Sequence, residues 1–394
     1  MLVAAVLSAW LQYAADGEPH ARAVVSDAAC PAASAGGRAL AMTLRAPRTA
    51  QFPDTVCDVA LTPSARRVRV GDRELPIPAY DPHRIVVLGD TGCRIGMLSA
   101  QSCNDPAAWP FPQNARAIAA VHPDLIVHVG DYLYRERACP PLARCADSPH
   151  GDGAAAWYAD FLTPAAPLFA TAPLVLVRGN HEECDRNGAG WFRYFDAHAS
   201  VACTAVTDPY EVAFGDLSIV AFDSAGASDR KADPARTAVY KKQFAAASNI
   251  AKLPDLRLAE VRFQQLPRQH WFVTHRPPYT NDDERTAMGD ALAPFDAVLA
   301  GHLHLFAAMN VESLPPLLVN GEGGASLDPN YAAFLGFAAG DLHVQGRVFG
   351  SAHFGFGVYT RTDSGWTISL RDTDGSERAR CTLANRTARC TSEK

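Results

Sequence analysis

The chain has 394 residues, 48% of them hydrophobic and 20% charged, with a formal net charge of −6. That length exceeds one ordinary domain and suits a large α/β domain with a smaller one appended. The charge balance offers no global basic field, which excludes a nucleic-acid scaffold or an acidic membrane surface as a charge-steered partner.

The opening Met1-Leu2-Val3-Ala4-Ala5-Val6-Leu7 is apolar with no Lys or Arg ahead of it. A signal peptide normally carries that basic region, so a trimmed start or an atypical leader is expected. No other stretch is apolar for long enough to span a bilayer, which predicts a protein soluble once made. Residues 1–82 are expected to form a small β-rich domain and linker. Ala9–Ala14 and Ala21–Val25 flank the turn Ala15-Asp16-Gly17-Glu18 as a hairpin, and Val56–Leu61 and Arg67–Asp72 add strand-like runs. The Pro-rich segment Leu75–Pro82 then reads as an extended linker.

From residue 83 to 394 one catalytic domain is predicted, built on a repeating pattern in which a short apolar strand ends at a polar residue. Ile85–Leu88 ends at Gly89-Asp90, Leu125–Val129 at Gly130-Asp131, and Leu174–Val177 at Arg178-Gly179-Asn180-His181. Ile219–Phe222 ends at Asp223, Trp271–Thr274 at His275, and Ala297–Ala300 at Gly301-His302-Leu303-His304. Strands this apolar are buried on both faces, and helical stretches at 114–121, 155–161 and 239–251 would cover the sheet. The glycine loop Asn320–Gly324 could approach an anion through its amides, although a tight turn between strands is the plainer reading. Strand-like runs return at Gly357–Thr360 and Trp366–Leu370.

Ten cysteines, at 30, 57, 93, 103, 139, 145, 184, 203, 381 and 390, fall into five neighbouring pairs without the spacing of a structural zinc site. A disulfide framework is therefore expected, sequential pairing being the simplest connectivity, and with it an exported setting, periplasmic or secreted.

Asp131 anchors the chemistry. A carboxylate at the end of a buried strand lies at the sheet's carboxyl edge, where ligands bind in open α/β sheets, and Gly130 lets the backbone turn beneath a bulky centre. Tyr134 could reach back over the same centre, and a phenolate suits a hard cation such as ferric iron. A single strand-end Asp is commonly a cap, and a single His is more often a core residue. Collected together, Asp90, Asp131, Tyr134, Asn180, His181, His275, His302 and His304 form a mixed oxygen and nitrogen set suited to two metals about 3.5–4 Å apart, with one bridging carboxylate.

The series Gly89-Asp90-Thr91-Gly92, Gly130-Asp131-Tyr132-Leu133-Tyr134, Gly179-Asn180-His181-Glu182, Val273-Thr274-His275-Arg276 and Gly301-His302-Leu303-His304 resembles, motif for motif, the calcineurin-like metallophosphoesterases. Within them it is most similar to the purple acid phosphatases. Most members carry a His two residues after the first Asp, whereas here that place is Gly92 and the Tyr of the second block is present. The resemblance implies a metallophosphoesterase-type β-sheet sandwich flanked by helices, preceded by the small N-terminal β-domain. It implies that Asp90, Asp131, Tyr134 and His304 hold Fe(III), and that Asp131, Asn180, His275 and His302 hold a divalent metal (Fe(II), Zn or Mn). It also implies that His181 binds phosphate or assists proton transfer, with Glu182 fixing its tautomer. Arg178 and Arg276, beside ligands, are candidate substrate-binding residues. A second His common after the fourth block is missing from Arg276–Glu284, so an acid of that loop substitutes or His181 works alone. The implied activity is an acid phosphatase acting on small-molecule phosphate monoesters. A phosphodiesterase on the same core, or a non-catalytic metal- or phosphate-binding protein, are the alternatives.

Overall fold

In the strand Arg84–Leu88 alternate residues take opposite faces: Ile85 and Val87 join one buried cluster, Val86 and Leu88 another. This computed structural model describes residues 5–96, 100–140, 144–229, 232–252, 269–329 and 339–391, so Met1–Ala4 of the apolar opening lie outside the described residues. Arg84–Leu88, Leu125–His128 and Leu174–Leu176 pair in parallel at the middle of an 11-stranded sheet. In a second, 7-stranded sheet, Leu217–Ala221, Gln269–Val273, Ala297–Ala300 and Leu317–Asn320 are also parallel neighbours. Val87, Val127 and Val175 of the first sheet share a core with Ile219, Trp271, Val273 and Leu299 of the second, so the two pack face to face. The helix Phe111–Ala120 packs through Phe111, Ala115 and Ile118 on the outer side of the first sheet. The helices Pro234–Lys252 and Asp282–Met288 do so on the outer side of the second. The expected α/β sandwich with flanking helices is the architecture observed.

The hairpin Val6–Tyr13 with Pro19–Val25 forms as expected. The boundary at residue 82, however, is not a boundary of the sheet: Val6–Tyr13 runs parallel beside Leu174–Leu176, with Gln12 opposite Leu174, and carries three N-terminal neighbours into the large sheet. Buried Trp10 stacks on Phe169 and lies tilted against Phe195, which ties that strand to the same core. Among the described residues, Ala33–Ala35, Arg38–Leu40, Arg69–Val70 and Arg73–Glu74 form a separate, 4-stranded sheet. All five neighbouring cysteine pairs are bonded in sequential order: 30 with 57, 93 with 103, 139 with 145, 184 with 203, and 381 with 390. No described helix is long and apolar enough to cross a membrane.

Candidate metal centre

The carboxyl ends of the parallel strands in both sheets meet at one place. Asp90, Asp131 and His302, each just past a strand end, adopt left-handed backbone conformations with φ of 55°, 59° and 71°. Such strain in non-glycine residues persists only where surrounding structure fixes it, and it collects at functional sites.

The donors form two groups. In one, the Tyr134 hydroxyl lies 2.6 Å from Asp131 Oδ2, 2.9 Å from Asp90 Oδ1 and 2.8 Å from His304 Nε2. One phenolic hydrogen cannot serve three acceptors. Nδ1 of His304 donates to the Ser326 carbonyl at 2.6 Å, which turns the Nε2 lone pair toward this group. In the other group, Asn180 Oδ1 lies 2.9 Å from His275 Nε2 and 2.8 Å from His302 Nδ1, and Asp131 Oδ2 is 3.3 Å from His275 Nε2. His275 in turn donates Nδ1–H to the Val129 carbonyl at 2.8 Å. Donor atoms of Asp131, His275 and His302 lie within 4.8 Å of one another. Asp131 is common to both groups.

Gly92 leaves room for the Tyr132–Tyr134 backbone and the Tyr134 ring. A Cβ at this position would lie 2.7 Å from the Tyr134 amide nitrogen, 2.8 Å from the Tyr132 carbonyl and 2.9 Å from Tyr134 Cδ2. A His at 92 and the observed placement of Tyr134 exclude each other sterically. Gly130, at φ 102°, is fixed as well, because its Cβ would meet the His275 ring at 2.5 Å.

The electrostatics call for cations. Burial would raise the Asp131 carboxyl, but His275 and His181 hold it well below the usual carboxylate range. Burial lowers His275, yet the Asp131 carboxylate more than offsets this and lifts it to about 9, so a proton stands where a cation could bind. Burial and the Asp131 and Asp90 charges push the Tyr134 phenol well above its ordinary range, so it ionises only against a strong positive charge.

His181 is partly buried and lies tilted against the Tyr134 ring, centroids 3.8 Å apart, with Nε2 3.9 Å from Asp131 Oδ2. Burial and the Arg186 charge lower it despite Asp131 and Glu136. Its Nδ1 lies 2.9 Å from Glu136 Oε1 and 2.7 Å from the Arg186 guanidinium. Glu182 therefore does not set its tautomer as expected. Instead Glu182 accepts the amides of Tyr132, Leu133 and Gly179, bracing the Asp131 turn, because its side chain points back under that turn.

Arg178 is also corrected: it is buried and donates to the carbonyls of Glu182 and Thr204 and to Asp223, facing away from the donors. Arg276 does reach them, with NH1 3.2 Å from His302 Nε2, but it is paired with Asp229. No acid of the 276–284 loop hydrogen-bonds a candidate ligand: Asp282 pairs with Arg285, Asp283 accepts from Ser228 and Asp233, and Glu284 is buried behind them. In the glycine loop, Gly323 donates to the Gly89 carbonyl at 3.0 Å and Gly321 to the Leu305 carbonyl at 3.2 Å, so these two amides are spent on backbone carbonyls and are not offered to an anion. The sequence reading missed Glu136, Arg186 and Asp229, none of which ends a strand. A groove of about 570 Å³ beside the strands Phe306–Val311 and Val344–Ser351 contains none of these residues.

The family model of the calcineurin-like phosphoesterases matches residues 83–306. Among solved structures, a purple acid phosphatase from yellow lupin (Lupinus luteus) seeds is similar at 13% identity and TM-score 0.57, over 97% of this chain and 74% of that one. PhoD is similar at 12% identity and TM-score 0.60, over 98% of this chain and 92% of that one. At these identities the likeness is one of fold. No curated protein matches the sequence.

Proposed function

The chain belongs to the calcineurin-like phosphoesterase family, a family of metal-dependent phosphoester hydrolases, and from that premise we propose that it is a binuclear acid phosphatase of the purple acid phosphatase type. The observation that carries the reading is the pair of donor groups sharing Asp131, with Gly92 leaving room for Tyr134. Asp90, Asp131, Tyr134 and His304 would hold Fe(III). Asp131, Asn180, His275 and His302 would hold a divalent ion, Fe(II), Zn or Mn. The donors suit these ions: two carboxylates and a phenolate for the harder, two imidazoles for the softer. When bound, such ions lower the pKa of water and offset charge on phosphoryl oxygens.

The chain's own residues supply the rest. The neutral His181 ring can carry its proton on either nitrogen: Nδ1–H toward Glu136, or Nε2–H with Arg186 donating to Nδ1. In the second form Nε2–H faces the centre and can donate to a leaving-group oxygen. Arg276 lies beside His302 and would bind a non-bridging oxygen of a small phosphate monoester once released from Asp229. The five disulfides support export to the periplasm or the exterior.

The test compares hydrolysis of p-nitrophenyl phosphate and bis-p-nitrophenyl phosphate by metal-loaded protein between pH 4 and 8. Faster monoester turnover in acid supports the reading, and a diester preference overturns it.

A further inference from the structure

Asp229 touches the centre from a segment that no motif marks. Its Oδ2 lies 3.0 Å from His302 Nε2 and pairs with Arg276 NH1, while Oδ1 accepts from Asn281 Nδ2 at 3.1 Å. On the other side of the His302 ring, Nδ1 faces Asn180 Oδ1. We propose that Asp229 is a positioning residue for the divalent-metal site: by taking Nε2–H of His302 it fixes the tautomer whose Nδ1 lone pair faces Asn180 and Asp131, and it neutralises Arg276 beside that site. The proposal rests on the binuclear reading above.

Two features make Asp229 more than a surface acid. Its segment is pinned from beneath. Fully buried Asp283, in the first turn of the helix Asp282–Met288, accepts Ser228 N–H at 3.0 Å and Asp233 N–H at 2.8 Å, and pairs with Arg236. Asn281 caps the same helix by accepting Glu284 N–H at 3.0 Å while its other amide atom holds Asp229. One helix end thus holds the backbone at Ser228 and Asp233 through Asp283 and the Asp229 carboxylate through Asn281. The second feature is charge: Asp229 is the carboxylate paired directly with the Arg276 guanidinium, which lies 3.2 Å from His302 Nε2 next to a site that must attract a cation.

A carboxylate behind a metal-binding imidazole typically changes metal affinity by about 10–100-fold. Asp229→Ala should therefore release the divalent ion to a chelator at about 10–100-fold lower chelator concentration, read by elemental analysis. The visible band of bound Fe(III) should persist, because Asp90, Tyr134 and His304 are untouched. Asp229→Asn keeps an acceptor for His302 but no longer offsets the Arg276 charge, so it should fall between wild type and Asp229→Ala. The side chain of Asp229 is 51% exposed, so neither change threatens the core. Divalent retention in Asp229→Ala equal to wild type overturns the proposal, as does equal loss of both ions. Wild type that holds no divalent ion at all overturns the binuclear reading and the proposal with it.

Discussion

Replacing Gly92 by Ala probes why this centre carries a tyrosine. The added methyl would stand 2.7 Å from the Tyr134 amide nitrogen, and an ordinary contact begins at 3.4 Å, so 3.4 − 2.7 = 0.7 Å of movement is required. Two of the three nearest atoms are backbone and cannot rotate away. Moving Tyr134 by that amount stretches its 2.9 Å approach to Asp90 to about 3.6 Å, beyond hydrogen-bonding range. Overpacking of this kind costs about 1–3 kcal/mol. The expected result is a lower urea midpoint in the metal-free protein and a weaker, shifted visible band after iron loading, with the disulfides intact. Gly92→Ala with wild-type stability and wild-type colour would refute the steric coupling between residues 92 and 134.

Asp131→Asn should lower metal content at both sites and abolish phosphatase activity, because a neutral amide cannot offset two cations; elemental analysis showing two metals per chain with normal turnover would remove the bridging role. Asp58 accepts from Arg22 at 2.9 Å and from His20 at 2.6 Å; burial raises its carboxyl, but these partners outweigh burial and hold it at about 2. Its folded pKa being depressed, the contribution of roughly 2 kcal/mol is present above pH 4 and lost as pH falls toward 2. Asp58→Asn should therefore destabilise by about that amount at pH 5 in urea unfolding and flatten the wild-type loss below pH 4. Mass mapping of non-reduced peptides should recover the five sequential cysteine pairs, and replacing Cys184 and Cys203 together by Ser should cost about 2–4 kcal/mol, since they close a span of 19 residues.

The strands and seven of the candidate ligands were legible because one physical rule produces both: apolar runs buried on two faces must end at a common edge, and polar residues at those ends converge. Asp229 and Glu136 were not, because irregular segments deliver them and their paths are set by tertiary contacts such as Asp283 beneath Ser228. Arg178 misled because adjacency to Asn180 says nothing about direction, and its side chain runs back toward Thr204 and Asp223. The fusion of the N-terminal strands to the large sheet hangs on the pairing of Gln12 with Leu174, far apart in sequence and without a local signature. Glu182 showed its carboxylate but not its task, since bracing three backbone amides depends on the turn it folds under.

The most direct test of the central claim is the visible absorption spectrum and elemental analysis of iron-loaded protein beside its Tyr134→Phe variant. A phenolate bound to Fe(III) gives the wild type a charge-transfer colour and two metals per chain. Tyr134→Phe should bleach that colour and weaken metal retention while the fold persists. A colourless iron-loaded wild type, or a Tyr134→Phe variant that keeps both colour and activity, would contradict the account.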